Sequence, residues 1–479
     1  MSSSDHELAF NGINGSTGRP LVPALSPETV GRLACGEKWD LEHLVELKEQ
    51  KERMEEDDMG LIFGESAKLL QESGWGVIFP HDVSEEIEQA VKPLLEHRRR
   101  EATRSHADLF KKLVYRPGES KSKFLARYDV GPGPVNPHQL PYYLLIVGGP
   151  EQIPFYFQYQ LDVQYAVGRI HFPTPEGYAH YANSVVAAEK GAFRRSRRVA
   201  LFGVANPDDK ATGRSLQNLI EPLAEQLRRT WSQVEPSTQQ VWQLETVSGA
   251  EATKASLGRL LGGEATPALL LTASHGMGFD TDDPRFPRHQ GALLCQDWPG
   301  PRLWRDPIPT DHYFCCDDVA AGADLAGLIT FHFACYGAGT PKFDDFAHRD
   351  SARRQLAPES FVASLPQRLL AHPGGGALAV IGHIDRAWSY SFDWKDTPRQ
   401  LNVFSSAFGS LFDGYPVGAA MEYFNQRYAE LSADLSSEIE NVNYGRETDF
   451  LSLSGMWTAN NDARSYVVIG DPAVRLVSA

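Results

Sequence analysis

Eight short apolar runs recur along this chain: GWGVIFP, YYLLIVGGP, AVGRIHF, RVALFGVA, PALLLTA, AGLITFHFA, GGALAVIGH and SYVVIGDPAVRL. Most are too short for a buried helix and rich in β-branched residues and glycine, so they read as buried strands. Helical patterns stand between them. SEEIEQAVKPLLEHRRR follows the first run, residues 175–192 follow the third, and SLQNLIEPLAEQLRRTW follows the fourth. Strands alternating with helices predict an α/β layered fold around a mostly parallel sheet.

At 479 residues the chain exceeds one compact core and suits two or three domains. The basic cluster RRSRR at 194–198 marks a junction. We expect an N-terminal arm and helix over 1–73, a first, smaller α/β subdomain over 74–193, and a second, larger domain over 198–479. Residues 1–30 carry NGINGSTGRP and PALSPE, both rich in turn formers, and predict an extended arm or a segment lying over a folded surface. Residues 40–57 predict a helix, with Asp40 as N-cap and Leu41, Leu44, Val45 and Leu47 on one face. Residues 341–358 read as a mobile surface loop.

The net charge of −16 argues against nucleic acid or an anionic membrane as the main partner. No apolar run is long enough to span a bilayer, and MSSSDHELAF lacks the basic and apolar regions of a secretory signal. Five cysteines without framework spacing predict a reduced, cytoplasmic protein. The adjacent Cys315 and Cys316 read as structural. No phosphate loop, metal-ligand spacing or other cofactor motif is evident, so neither cofactor nor metal is expected.

Two of the strand-like runs end in reactive residues. PALLLTA opens into Ser274, His275 and Gly276; GLITFHFA opens into Cys335, Tyr336 and Gly337. In an open parallel sheet, ligands sit beyond the carboxyl ends of the strands, so a His and a Cys are expected at one sheet edge. Either residue alone reads as structural, since a free cysteine is commonly core. Together, each at a strand end and each beside glycine, they suit nucleophilic catalysis. The imidazole activates the thiol and protonates a leaving amine. The backbone N–H groups of Gly276 and Cys335 are the natural oxyanion donors.

These residues resemble the caspase-like clan of cysteine peptidases, in particular the gingipain-type (C25) and CHAT-domain families. The matching blocks are YYLLIVGGPEQIPF, YAVGRIHF, LTASHGMG, TFHFACYGAGTP, GGALAVIGHIDRAW and IGDPAVRL, in order across residues 140–479. The resemblance implies a caspase-like three-layer sandwich in which 74–193 is a non-catalytic subdomain and 198–479 is catalytic. It implies a cysteine endopeptidase in which Cys335 forms an acyl-enzyme and His275 protonates the leaving amine, with no third member firmly required. It places Trp388 at the wall of the S1 pocket and the charged S1 residue in the loop 205–218. There Asp208 or Asp209 would favour a basic P1 residue, and Lys210 or Arg214 an acidic one. The chain departs from relatives at Phe333 and His332, which stand where caspases and arginine-gingipains carry Gln and Asp; His332 reads as a core histidine. Relatives further imply a protein or peptide substrate and a regulated intracellular effector, in a stress or antiphage role. Control would come from masking by the arm, cleavage in 341–358, or an activating or inhibitory protein partner. Two readings compete: a catalytically silent caspase-like scaffold or binding protein, and a ligase or esterase on the same dyad.

Overall fold

The computed structural model describes residues 11–21, 30, 60–232, 242–344, 346, 354–394, 397–398, 400–443 and 449–478. The helix expected over 40–57 lies outside them, as does most of the arm. Ten strands form one sheet: β1 (Trp75–Pro80), β2 (Phe110–Tyr115), β3 (Tyr143–Val147), β4 (Ala166–Ile170), β5 (Arg198–Gly203), β6 (Gln243–Ser248), β7 (Leu269–Ala273), β8 (Ile329–Phe333), β9 (Ala379–His383) and β10 (Tyr466–Gly470). Their spatial order is β2-β1-β3-β4-β10-β9-β8-β7-β5-β6. Every pairing is parallel except that of β9 with β10. With its interspersed helices this is the mostly parallel α/β sandwich expected.

All eight apolar runs contribute strands. β3, β7, β8, β9 and β10 are buried along their whole length, which is why they read as unbroken apolar stretches rather than alternating ones. The two strands without such a run, FKKLVY and QLETVS, occupy the two edges of the sheet. An edge strand buries less side-chain surface and tolerates lysines such as Lys111 and Lys112. Its sequence therefore lacks the apolar signature.

The sheet runs unbroken across the expected junction at 193–198. β1 to β4 point one way, and β5 to β9 the other. β10, last in the chain, joins them, parallel to β4 and antiparallel to β9. Just past β10, Asp471 is wholly buried beneath two helices, α1 (Glu85–Ala102) and α2 (Pro175–Glu189). Its carboxylate accepts from Arg98 Nε at 2.6 Å and from Trp75 Nε1 at 3.0 Å. Arg98, also buried, donates to Glu189 at 2.7 Å. The IGDP turn is thus a buried ion-pair knot tying α1, α2 and β1 to the end of the chain.

Of the arm, residues 11–21 join a separate three-stranded sheet with Met277–Gly278, beyond the carboxyl end of β7. Ile13–Asn14 pairs in parallel with Met277–Gly278 and antiparallel with Arg19–Pro20. Residues 11–21 form an extended strand and turn against Met277–Gly278. In the loop 341–358, Asp344 N–H donates to Arg354 O at 2.8 Å, and the Asp344 carboxylate pairs with buried Arg386 at 2.6 Å. Residues 345 and 347–353 fall outside the described set. No described helix is long and apolar enough to cross a membrane.

Candidate active site

β5, β7, β8 and β9 are neighbours and run in parallel, so their carboxyl ends open on the same edge. Gly203, Ala273 and Phe333 stand in register there. The residues just beyond bring Asp209, His275 and Cys335 to one place, with Ala387 arriving beyond β9. His275 and Cys335 therefore meet where the strand ends placed them. The backbones close up because residue 276 is glycine. A Cβ there would fall 1.8 Å from the Cys335 carbonyl oxygen and 2.6 Å from its nitrogen. The Gly276 backbone, one of the two expected oxyanion donors, is thus packed directly against the backbone of the other, Cys335. Tyr336, next along, takes a left-handed φ of 57°, rare for an aromatic residue and the kind of strain stored at functional turns.

His275 is 1% exposed. Its Nε2 lies 2.8 Å from Asp209 Oδ2. Facing a carboxylate, Nε2 carries the proton and donates, leaving Nδ1 as an acceptor. The edge of Trp298 packs against the imidazole. Asn206 holds the Trp298 loop by donating to its carbonyl at 2.9 Å. Asp209 is itself fastened. It caps the helix α3 (Lys210–Ser215), accepting from the Ala211 and Thr212 N–H groups and the Thr212 hydroxyl. Burial works against its charge, but His275 and Thr212 outweigh it and hold the carboxyl down at about 2.

That arrangement revises the expectation for Asp209. Its carboxylate is spent on His275 and its own helix, so it is not free to meet a basic P1 side chain. Asp208 is the exposed member of the pair, 3.9 Å from Arg302. Arg214 sits in the last turn of α3, where its charge is felt by Tyr390. Among the described residues no hydrogen bond or ion pair joins it to His275 or Cys335. Trp388 is buried beside the arm, in a cluster that includes Val30 and against which Leu21 packs. Its ring lies 4.4 Å from Phe346 in a buried cluster with Leu435 and Trp457. The neighbouring Ala387, instead, touches the sulfur, its N–H donating to Cys335 Sγ at 3.3 Å. His332 is a core histidine, bonded to Thr272 at 2.8 Å and Thr330 at 3.2 Å and pushed down to about 3 by burial. Cys315 and Cys316 lie near His289 and Asp317, and the latter two bond each other at 2.8 Å.

The centre holds a segment of the chain itself. Cys335 Sγ donates to the Asn11 carbonyl oxygen at 2.8 Å, and the Gly12 N–H donates to His275 Nδ1 at 2.7 Å. The peptide group joining residues 11 and 12 therefore lies between the thiol and the imidazole. Cys335 is fully buried beneath it, and burial, only partly offset by the Ala387 N–H, pushes its pKa up to about 12. Sequence reasoning missed Asn11, Gly12, Trp298 and Asn206. Nothing in a turn-rich NGING run announces which protein surface it will cross.

No protein-family model matches the chain. No curated protein matches it either. Among solved structures, one described as a protease is similar over 84% of this chain and 78% of its own, at 12% identity and a TM-score of 0.46. The separase of a Saccharomyces cerevisiae separase–securin complex is similar over 69% of this chain but 16% of its own, at 10% identity and a TM-score of 0.31. Likenesses this distant assign neither a family nor a chemistry to this chain.

Proposed function

We propose that this chain is a cysteine endopeptidase, with Cys335 as nucleophile, His275 as general acid and base, and Asp209 as the residue that orients His275. The observation that carries this reading is the convergence of Asp209, His275 and Cys335 beyond three adjacent parallel strands, around a peptide group. The Asp209 bond fixes the tautomer and aims Nδ1 at the reaction centre. Nδ1 takes the thiol proton, Sγ adds to the carbonyl carbon, and the N–H groups of Gly276 and Cys335 receive the developing oxyanion. The protonated imidazole then donates to the leaving amine. Water, activated by the same nitrogen, hydrolyses the thioester. The sequence resemblance to caspase-like peptidases is consistent with these roles, and the cysteine usage with a regulated effector in a reducing compartment.

The test is hydrolysis of a mixed fluorogenic peptide library by the wild type and by Cys335→Ala, with the products identified by mass. Turnover is expected in the wild type and absent from the variant, giving free ends rather than joined peptides. Turnover that survives Cys335→Ala would reject the assignment. A Cys335 that neither turns over substrate nor reacts with alkylating agents after the arm is displaced would favour a silent scaffold.

A further inference from the structure

We propose that the peptide bond between Asn11 and Gly12 is a bond this chain cleaves in itself, and that the same cleft selects glycine immediately after the scissile bond. The inference rests on the peptidase reading above and gives that site a substrate.

The amide lies in direct contact with both reactive groups. Its carbonyl oxygen is against the nucleophilic sulfur and its nitrogen against the imidazole that would protonate it. The thiol and the imidazole thus each touch one end of the same amide; attack requires Sγ to pass from the oxygen to the adjoining carbonyl carbon and Nδ1 to exchange the N–H it accepts for the thiol proton it then delivers. The residues after the bond are held in fixed register. Ile13 N–H donates to Gly276 O at 3.3 Å and Gly15 N–H to Gly278 O at 2.7 Å. Ile13 is buried with Met277, Trp298 and Ile308. Asn14 Nδ2 donates to Asp280 at 2.9 Å, and Arg285 donates to the Gly15 carbonyl at 3.0 Å. The leaving-group side is therefore bound by strand pairing, an apolar pocket and side-chain hydrogen bonds. That is a recognition surface and not a chance contact.

Glycine is demanded at residue 12. Its φ is 107°, and a Cβ there would fall 2.6 Å from Leu21 Cδ1 of the arm and 2.9 Å from Cys335 Sγ. A side chain after the scissile bond would strike the nucleophile itself, so the cleft discriminates at this position by exclusion. Asn11, on the acyl side, is buried, and its Nδ2 has no hydrogen-bond partner among the described residues. An orphaned buried donor costs stability in the bound state. Cleavage lets that residue leave.

The step balances with water as the only co-reactant. The thiol proton passes to His275 Nδ1 as the bond from Sγ to the Asn11 carbonyl carbon forms. The bond from that carbon to the Gly12 nitrogen breaks and takes the proton from Nδ1, leaving a thioester and a free amine. Water adds to the thioester, the C–S bond breaks, and the sulfur regains a proton. The products are a carboxylate on Asn11 and a chain beginning at Gly12.

The experiment is intact mass and N-terminal sequencing of the full chain, purified and incubated as wild type, Cys335→Ala and Gly12→Ala. A peptide carrying Asn-Gly-Ile-Asn and its Asn-Ala-Ile-Asn counterpart are assayed in parallel with wild type. The expected result is a new N-terminus at Gly12 in the wild type, none in Cys335→Ala, and self-cleavage at least tenfold slower in Gly12→Ala. The Asn-Gly peptide should be cut at least tenfold faster than the Asn-Ala one. A wild type that stays intact, or is cut elsewhere, while hydrolysing library peptides through Cys335 would overturn this inference and leave the peptidase reading standing. Scission at Asn11 that persists in Cys335→Ala would be spontaneous asparagine chemistry and would also overturn it. Loss of every Cys335-dependent cleavage, in the chain and in peptides, would overturn both.

Discussion

At the scale of single residues, the behaviour of the site turns on how three groups titrate and point. Asp209 does two things at once, orienting His275 and capping α3. Asp209→Asn should lower kcat by about 10²-fold or more while leaving KM nearly unchanged, because it disturbs the proton-carrying group and not the substrate strand. Thermal melting should also fall, by about 1 kcal/mol for the weakened cap. Because the folded-state pKa of Asp209 is depressed to about 2, its stabilising contribution is complete above about pH 4 and is lost as pH falls towards the folded value. Melting of wild type and Asp209→Asn should therefore converge in acid. Cys335 moves the other way. With its pKa up at about 12, little of it is thiolate at neutral pH, so alkylation of the full chain should be slow and rise about tenfold per pH unit through the alkaline range. Freeing the sulfur from Asn11 should speed labelling at pH 7, and mass-resolved labelling of Cys335 checks it.

At the scale of elements, what the sequence revealed depended on burial. β3, β7, β8, β9 and β10 were legible because both faces are covered, and the strand ends carrying His275 and Cys335 were legible with them. The edge strands Phe110–Tyr115 and Gln243–Ser248 were not, since their half-exposed faces accept lysine, glutamate and threonine. Asp209 was visible as a charged residue in a loop after a strand, but its partner stands 66 positions along the chain. Only the parallel pairing of β5 with β7 brings the two together. The resemblance to peptidases pointed to that loop for substrate charge, while α3 turned the carboxylate inward as its cap. Trp388 was legible as an aromatic beyond β9, but its neighbours Phe346, Trp457 and Val30 come from distant parts of the chain. The arm was legible as irregular and surface-bound. Its register, with residue 12 over the sulfur, comes from contacts to Met277, Asp280 and Arg285 that no local pattern encodes.

At the scale of the whole molecule, the two halves of the chain are bound through their last strand and the buried knot behind it. Arg98 and Asp471 are 1% and 0% exposed, and Glu189 adds a second carboxylate. Removing one partner leaves an uncompensated buried charge, so Asp471→Ala should destabilise the protein by about 3–5 kcal/mol, read by denaturant unfolding. The loss should be larger than that of Asp209→Asn, although Asp471 lies outside the candidate active site. Both halves of the sheet should lose cooperativity together, because β10 borders β4 on one side and β9 on the other.

The place of β10 also orders events in time. A ribosome makes β9, with the Ala387 stretch that touches the sulfur, before β10 exists to support its open flank. Until residues 466–470 emerge, β4 and β9 each present an unpaired edge. A polypeptide still being synthesised therefore lacks the support that positions its own nucleophile. Its neighbours on the polysome therefore meet the assembled site only after β10 has left the ribosome.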